Sequence, residues 1–289
     1  MAGQGTLYVV ATPIGNLEDI TYRAVRILRE TPIVAAEDTR AARVLLDRYQ
    51  LSPRRLLSFF EGNEAARTEE ILSYLEAGED VALISEAGTP GVSDPGQRLI
   101  ARAVENGVRI EVIPGPSAVI TALVASGLDT ERFLFVGFPP REEGARRELF
   151  GALRGERATL VFYEAPARVG RTLSDLALAL GPSRRAYLGR ELTKLHEEHV
   201  RGTLGELSAK YEHEPPRGEC TLVVEGASAL QAAEAEGLDV EDEVRRLLAD
   251  GISPKEIAAR VALATGKPRR QVYQLALVLA GKRPRDGHD

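Results

Sequence analysis

The sequence is poor in cysteine and in aromatic residues. Its 289 residues include one cysteine, Cys220, no tryptophan and only 5% aromatic residues. A single cysteine excludes an internal disulfide framework and a zinc site built from several cysteines, and it favours a reducing compartment, for which the cytoplasm is the default. The shortage of aromatic side chains argues against a surface on which the bases of single-stranded nucleic acid stack.

Long apolar runs and early lysines are missing too. The N-terminal apolar run, residues 7–11, has no basic leader and is too short for a signal-peptide core or a membrane span, so we expect no export. No lysine occurs before Lys194, which excludes a P-loop in that part of the chain. The first loop, TPIGN, holds one glycine where a dinucleotide-binding fingerprint needs three.

Metal-binding and acyl-transfer patterns are also lacking. The chain has four histidines, and two of them, His196 and His199, stand three residues apart in HEEH. A zinc-binding HExxH helix separates its histidines by four, and no third ligand is evident here. No serine lies in a nucleophile-elbow context. We therefore predict a polar surface strand or loop at HEEH and no metal site.

Apolar runs and stretches of helical period alternate along the first part of the chain. The predicted strands cover residues 7–11, 33–36, 81–84 and 108–113. The predicted helices cover residues 22–30, 69–77 and 97–106. This βαβα order predicts a mainly parallel sheet. After Pro114-Gly115-Pro116, residues 117–124 predict a helix with Ser117 as its cap.

A second set of runs follows the same logic. The predicted strands cover residues 132–138, 158–163, 185–189 and 220–224, and the predicted helices cover 145–153 and 168–180. Residues 227–236 are rich in Ala and Glu and predict a linker. Three short helices then cover residues 240–250, 253–265 and 269–280, the second with Ser253-Pro254 at its start. We expect an α/β domain over 1–117, another over 118–228 and a small helical domain over 239–282.

The C-terminal helices are strongly basic although the whole chain has a net charge of −6. From Pro254 to Arg285 a single acidic residue, Glu256, stands among eight basic ones, Lys255, Arg260, Lys267, Arg269, Arg270, Lys282, Arg283 and Arg285. Such a cluster indicates either a surface that faces a polyanion or a solvated helical face. Charge alone does not separate the two.

The loop EAGTPGVSDPG, residues 86–96, follows the third apolar run. The carboxyl end of a strand is where open α/β sheets place their ligands. Its glycines allow close approach of the backbone, and Glu86 and Asp94 supply acceptors rather than cations, which suits a hydroxyl, an amine or a positive centre better than a phosphate. A plain turn rich in Gly and Pro is the alternative.

Eight motifs in order carry a resemblance that covers essentially the whole chain. They are VATPIGNLEDI (10–20), AAEDTR (35–40), EAGTPGVSDPG (86–96), IPGPSAVITAL (113–123), FVGFPPR (135–141), FYEAPARV (162–169), GRELTKLHEE (189–198) and GECTLVVEG (218–226). This set resembles the tetrapyrrole methylase superfamily. Within it, the match is to the members that methylate a cytidine ribose 2′-hydroxyl in the decoding region of small-subunit ribosomal RNA.

The resemblance implies an α/β fold with two α/β domains of tetrapyrrole methylase type, an S-adenosylmethionine cleft between them, a small C-terminal helical domain, and a homodimer. Carried over by motif, the residues expected to bind the cofactor are Pro13, Glu86, Ala87, Gly88, Val92, Ser117, Ala118, Tyr163, Glu164, Leu192, Cys220 and Thr221. Many of them would act through backbone groups. The expected RNA contacts are Arg40, Arg141, Arg190, Lys267, Arg269 and Arg270.

The candidates for the base are Glu191 and Lys194 in GRELTK, with Glu164 and Asp38 behind them. Members of the superfamily often carry histidines in HEHN and YEAPHR segments, but this chain has FEGN at 60–63 and Ala167 before Arg168, so no imidazole stands there. Two other functions stay open. One is methylation of a small tetrapyrrole by the same fold, and the other is non-catalytic binding of nucleic acid.

Overall fold

The computed structural model describes residues 3–228, 231, 240–265 and 267–281. The chain divides into two compact units. The first comprises Met1–Thr121 together with Leu192–His196, and the second comprises Ala122–Glu191 together with Glu197–Asp289. The chain therefore returns to the first unit for five residues after it has entered the second.

The first unit is built around a five-stranded sheet. Its strands are β1 (Thr6–Val10), β2 (Ile33–Ala36), β3 (Arg55–Ser58), β4 (Val81–Ile84) and β5 (Arg109–Ile113), in the order β3-β2-β4-β1-β5. Every neighbouring pair is parallel, as the sequence predicts. The helices between them are α1 (Tyr22–Glu30), α2 (Thr39–Arg48), α3 (Glu64–Glu76) and α4 (Gln97–Glu105).

Both faces of this sheet are covered, which explains its continuous apolar strands. Successive side chains of a strand point to opposite faces. Leu7 and Val9 accordingly pack with α3 and α4 residues such as Leu72 and Leu99, whereas Val10 packs with Ile27 of α1 and other residues of a separate core. All four residues of β2 and of β4 are buried.

The second unit holds a mixed sheet. Its strands are β6 (Phe133–Gly137), β7 (Thr159–Glu164), β8 (Arg185–Arg190), β9 (Glu198–Thr203) and β10 (Cys220–Val224), in the order β6-β7-β10-β8-β9. Only β6 and β7 are parallel; β10 runs antiparallel to both β7 and β8, and β9 antiparallel to β8. Its helices are α6 (Glu143–Ala152), α7 (Val169–Leu180) and α8 (Leu204–Lys210), while α5 (Ala118–Ser126) joins the units.

Three helices follow, α9 (Val240–Ala249), α10 (Pro254–Thr265) and α11 (Arg269–Leu279), close to the predicted bounds. They share a core of their own that includes Val244, Ile257 and Val272. The predicted cap of α10 is confirmed, since Glu256 N donates to Ser253 Oγ at 3.3 Å. Most of the predicted linker, as well as Lys282, Arg283 and Arg285, lies outside the described residues.

The sequence patterns miss three elements, α2, β3 and α8, and they indicate β9 only through its first residues. The HEEH segment, predicted as a polar surface strand or loop, leads into β9, a strand at the edge of the second sheet that begins at Glu198. Among the described residues, no group of histidine, cysteine and acidic side chains is arranged to hold a metal ion. Nor does the described part of the chain contain a helix of the length and apolarity that a bilayer crossing requires.

Candidate functional site

Two predicted loops of the first unit are tied together by their backbones. Thr12 N donates to Gly88 O at 2.8 Å and Gly88 N donates to Thr12 O at 3.1 Å. Thr12 follows β1 and Gly88 follows β4, which are neighbours in the sheet. From β1 the chain crosses to β2 on one side, and from β4 it crosses to β5 on the other. This is a topological switch point, where open α/β sheets bind ligands.

The loop after β4 has a defined shape at Gly88. Ser85 Oγ donates to Gly88 O at 3.0 Å, and Thr12 Oγ1 donates to Ser85 O at 3.2 Å. Gly88 has φ +83°, and a Cβ built there would have no atom nearer than 3.7 Å. Glycine is therefore needed for the left-handed backbone conformation rather than for a close approach of neighbouring protein atoms.

Three carboxyl groups gather around this loop. Glu86 N donates to Glu37 Oε2 at 3.2 Å, which links the loop after β4 to the end of β2. Burial raises the pKa of Asp94 from 3.8 to about 7; the charges of Glu37 and Glu86 act in the same direction, and a hydrogen bond to Ser85 opposes them. Near neutral pH this loop thus balances between two protonation states.

Two further segments complete this edge of the first unit. Ser117 Oγ accepts from Ile120 N at 3.4 Å, so Ser117 caps α5 as predicted. In the returning segment, Leu192 is buried and Leu192 O would lie 3.1 Å from a Cβ at Gly15, with the side chain of Lys194 closer still. A side chain at position 15 would collide with this segment, so Gly15 permits the contact.

The predicted residues of the second unit meet at one end of its sheet. Cys220 at the start of β10 pairs in register with Glu164 of β7 and with Arg190 of β8, and Thr221 pairs with Tyr163 and Gly189. Antiparallel pairing explains this, because the start of β10 must lie beside the ends of its neighbours. Burial raises the pKa of the Cys220 thiol to about 12, which makes it a poor nucleophile.

Glu164 is an internal anchor of this end. Its buried carboxylate accepts from Thr172 Oγ1 at 2.5 Å and from Ala165 N at 2.8 Å, and Arg168 Nε lies 3.1 Å from it. Arg168 also donates to Pro139 O at 2.5 Å, which holds the loop after β6. Engaged in this way, the Glu164 carboxylate is not available as a base. The ring of its neighbour Tyr163 packs edge-on against the Phe135 ring, with the ring centroids 4.9 Å apart.

The two leading base candidates lie in different units, Glu191 in the second and Lys194 in the first. Glu191 has φ +51°, and its Oε1 accepts from Glu219 N at 2.9 Å. Asp38 caps α2, and its hydrogen bond with the Arg40 side chain lowers its pKa to about 2. An acid so weakly basic is poorly suited to accept a proton, which leaves Asp38 as a structural residue.

The six predicted RNA contacts differ in surroundings. Arg40 pairs with Asp38 at 2.7 Å and Arg190 pairs with Glu198 at 2.8 Å. Arg40 is nevertheless exposed, as are the other four, Arg141 just before α6 and Lys267, Arg269 and Arg270 around the start of α11. Basic residues in the first turn oppose the helix dipole, each by about 0.3–1 kcal/mol at the surface, so local stability does not explain Arg269 and Arg270.

The predicted cofactor residues thus form two groups, one per unit. The first unit holds Pro13, Glu86, Ala87, Gly88, Val92, Ser117, Ala118 and Leu192; the second holds Tyr163, Glu164, Cys220 and Thr221. Sequence reasoning overlooked Glu37 and the partner role of Thr12. Glu37 directly follows β2, and Thr12 and Glu86 each stand two residues after the end of β1 and β4. Their position just after a strand was the signal available in the sequence.

The polar groups of the first-unit loops suit a positively charged ligand that contains no phosphate. These loops, residues 11–16, 85–96 and 114–117, contain no lysine or arginine, and Lys194 of the returning segment lies against Gly15. They present backbone groups, hydroxyls and the carboxyl groups of Glu86 and Asp94, and Glu37 adds another carboxylate. A phosphate group binds best where N–H donors and cations converge.

Two family models match the chain. Residues 6–208 match the model described as Tetrapyrrole (Corrin/Porphyrin) Methylases, and residues 232–280 match the RsmI C-terminal HTH domain. The first match ends inside α8, so the family model extends through most of both α/β regions. The second spans the three C-terminal helices.

Similar proteins align over nearly the whole chain. A protein of Synechocystis sp. named ribosomal RNA small subunit methyltransferase I is 44% identical over 275 residues, covering 95% of this chain and 98% of that protein. A Pseudomonas aeruginosa protein of the same name is 43% identical over 280 residues, covering 96% and 99%.

The fold also occurs among solved structures. Uroporphyrin-III C-methyltransferase from Thermus thermophilus, crystallised with S-adenosyl homocysteine, has a TM-score of 0.53 and 24% identity, covering 76% of this chain and 97% of that one. At this identity the similarity extends to the fold alone.

Proposed function

Because the chain belongs to the tetrapyrrole (corrin/porphyrin) methylase family, and within it to the proteins named ribosomal RNA small subunit methyltransferase I, we propose that it methylates small-subunit ribosomal RNA with S-adenosylmethionine. The target is the ribose 2′-hydroxyl of a cytidine in the decoding region. The observation that carries the proposal is identity of 44% spread over 95% of the chain, which includes the helical C-terminal region.

The methyl donor fits the chemistry of the first unit. S-adenosylmethionine supplies a methyl group activated by a positive sulfur, and it contains no phosphate. Glu37 and Glu86 provide negative charge near the tied loops, Asp94 adds to it as it ionises near pH 7, and Thr12 and Gly88 fix the loop backbone. The cofactor residues proposed from the sequence, in both units, remain the proposed binding set.

The reaction needs alignment more than activation. The ribose oxygen attacks the methyl carbon in line as the carbon–sulfur bond breaks, and the hydroxyl proton leaves to a base or to water. We propose Glu191 and Lys194 as the candidates for that base. The backbone of residue 219 holds the Glu191 carboxylate, and the Lys194 side chain lies against Gly15. Glu191 would accept the proton as a carboxylate and Lys194 as a neutral amine, directly or through a water molecule.

The RNA would be held through its phosphates. Lys267, Arg269 and Arg270 are exposed at the start of α11, whose N-cap residue, Pro268, makes no side-chain capping bond. Helix N-terminal N–H groups and neighbouring cations both favour phosphate oxygens. Arg40, Arg141 and Arg190 are the proposed contacts outside the helical domain. A cytoplasmic location and a homodimer belong to the same proposal.

The decisive experiment maps ribose methylation in small-subunit RNA. RNA from a deletion strain is compared with RNA from the same strain carrying this gene or its Glu191→Gln and Lys194→Met variants. We expect one cytidine in the decoding region to lose its 2′-O-methyl group on deletion and regain it with the parent gene. In parallel, purified protein is assayed with small ribosomal subunits and with uroporphyrinogen.

The outcomes separate the alternatives. Methylation of uroporphyrinogen but not of subunits would identify a tetrapyrrole enzyme and refute the proposal. Failure to bind S-adenosylmethionine in calorimetry would favour a non-catalytic nucleic-acid-binding protein. A subunit methyl group on a base, rather than a ribose, would retain the RNA substrate and overturn the assigned acceptor.

A further inference from the structure

The helical C-terminal domain meets the α/β part of the second unit at a backbone-to-backbone contact. Gly151, in the last turn of α6, is buried. A Cβ at this position would lie 2.5 Å from Leu263 O and 2.9 Å from Ala262 O, both in α10. Real Cβ atoms do not approach an oxygen so closely, so α6 and α10 can touch here only because residue 151 has no side chain.

We call the contact between Gly151 of α6 and Ala262 and Leu263 of α10 the seam. The side chain of Leu263 reinforces it. Leu263 packs against the core cluster of the second α/β region, which contains Phe150 and Leu176, whereas Ala262 belongs to the core of the three helices. Adjacent residues of one helix thus join two cores. Packed interiors resist small displacements, so the seam holds the helical domain in one orientation.

The seam lies close to the basic start of α11. A groove beside it is lined by Glu143 and Arg147 of α6, Arg260 of α10, and Arg269. The helices α10 and α11 share a core through Val261 and Val272, so the start of α11 moves with α10. An altered seam would therefore redirect Arg269 and Arg270 relative to the rest of the second unit.

We propose that Gly151 is a positioning residue for RNA binding, because it fixes the helical domain where its basic residues engage the phosphates of the bound RNA. The inference rests on the proposed function and names the element that orients the substrate. The helical domain then acts as a fixed part of the substrate surface, and not as a tethered accessory that searches for RNA on its own.

The test uses Gly151→Ala in the full chain. Alanine raises helix propensity, so α6 itself should gain stability while the added methyl group forces α10 away. Gly144→Ala is the control in the same helix, because Gly144 is exposed and the three atoms nearest to a Cβ there all belong to Glu142, the side chain that caps the start of α6. Gly144 lines the groove but lies at the opposite end of α6 from the seam. S-adenosylmethionine affinity is measured by calorimetry, and methylation kinetics are measured on small ribosomal subunits.

We expect Gly151→Ala to raise KM for subunits about tenfold while kcat and cofactor affinity stay within about twofold of the parent. Reversal of Arg269 and Arg270 should then cost less in the Gly151→Ala background than in the parent, because groups that act together are not additive. Gly144→Ala should match the parent. Leu263→Ala, which weakens the seam from the other helix, should reproduce the KM effect without altering α6.

A parent-like KM in both Gly151→Ala and Leu263→Ala, with hydrogen exchange showing faster opening of α10, would overturn the positioning role and leave the proposed function standing. Additive effects of Gly151→Ala and the arginine reversal would overturn it too. If the parent protein itself leaves subunits unmethylated, the proposed function fails first, and this inference falls with it.

Discussion

Thr12 and Gly88 exchange two backbone hydrogen bonds, of 2.8 and 3.1 Å, across the ends of β1 and β4. The two loops predicted to hold the cofactor are therefore one structural feature of the first unit. Ser85 adds a third bond to Gly88 O at 3.0 Å. A change at any of these residues should disturb both loops together, so their effects on cofactor binding should be coupled.

Gly88→Val should weaken S-adenosylmethionine binding at least about tenfold, since a β-branched residue at φ +83° forces the loop to rearrange. Gly107→Val is the control, because Gly107 also has a left-handed φ, +68°, but lies in the turn before β5. Both variants should lose stability by a similar amount. Calorimetry and thermal unfolding measure the two effects, and equal cofactor affinities in the two variants would contradict the assignment of this loop.

Asp94→Asn should remove a pH dependence of stability. The pKa of Asp94 is about 7 in the folded chain, against 3.8 without its surroundings. The folded state therefore binds more protons between these values, and stability falls as pH rises through that window. Asparagine mimics the protonated acid, so the variant should match the parent near pH 4 and exceed it above pH 7. Thermal unfolding across pH, with Asp47→Asn as an exposed control, tests this; parallel curves would refute the shifted pKa.

Arg269→Glu with Arg270→Glu should reduce methylation of subunits at low salt by about tenfold or more, because the variant releases fewer counterions from the RNA when it binds. The loss should be smaller at high salt, where salt already screens these charges in the parent. Cofactor affinity should be unchanged. Arg29→Glu with Arg48→Glu makes the same charge change at exposed positions of α1 and α2. Unchanged turnover of the Arg269 and Arg270 variant at low salt would remove the helical domain from the RNA-binding surface.

Asp175→Ala should destabilise the protein by about 3–5 kcal/mol, because it leaves the buried Arg146 guanidinium without its carboxylate partner. The two side chains join α7 to α6 at 2.5 Å and are 5% and 7% exposed. Arg147→Ala, which removes a half-exposed partner of the same carboxylate, should cost less than about 1 kcal/mol. The double variant Arg146→Met with Asp175→Leu should recover most of the loss in chemical denaturation. If the double variant is as unstable as Asp175→Ala, the loss of stability comes from altered packing and not from the unpaired guanidinium.

The buried strands and amphipathic helices could be predicted because their periodicity is set by the core. The strands 33–36, 81–84 and 220–224 end where the sequence says. The edge strand β3 could not be predicted, and β9 was predicted only as a polar strand or loop, because both are half exposed and carry little apolar pattern. The mixed order of the second sheet depends on which strand enters between β7 and β8, and that is a tertiary choice.

The candidate site was predictable in its motifs but not in its linkages. The sequence explains the glycines of the loop after β4 by close approach of the backbone, and the structure adds a second reason at Gly88, its positive φ. Glu164 is a secondary candidate for the base from sequence, but its carboxylate forms an ion pair with Arg168 and accepts a hydrogen bond from Thr172. Such facts depend on residues brought together by the fold, which spacing along the chain does not encode.

The return of Leu192–His196 to the first unit has a consequence for synthesis. A chain emerging from the ribosome can pair β1 to β5 early, since domains tend to fold as their residues appear. The surface over Gly15 nevertheless stays unfinished until residues 122–191 have also been made and the returning segment arrives. A protein cut after residue 121 would be a sheet lacking one wall, and its competence to bind a ligand would have to wait for the other half of the chain.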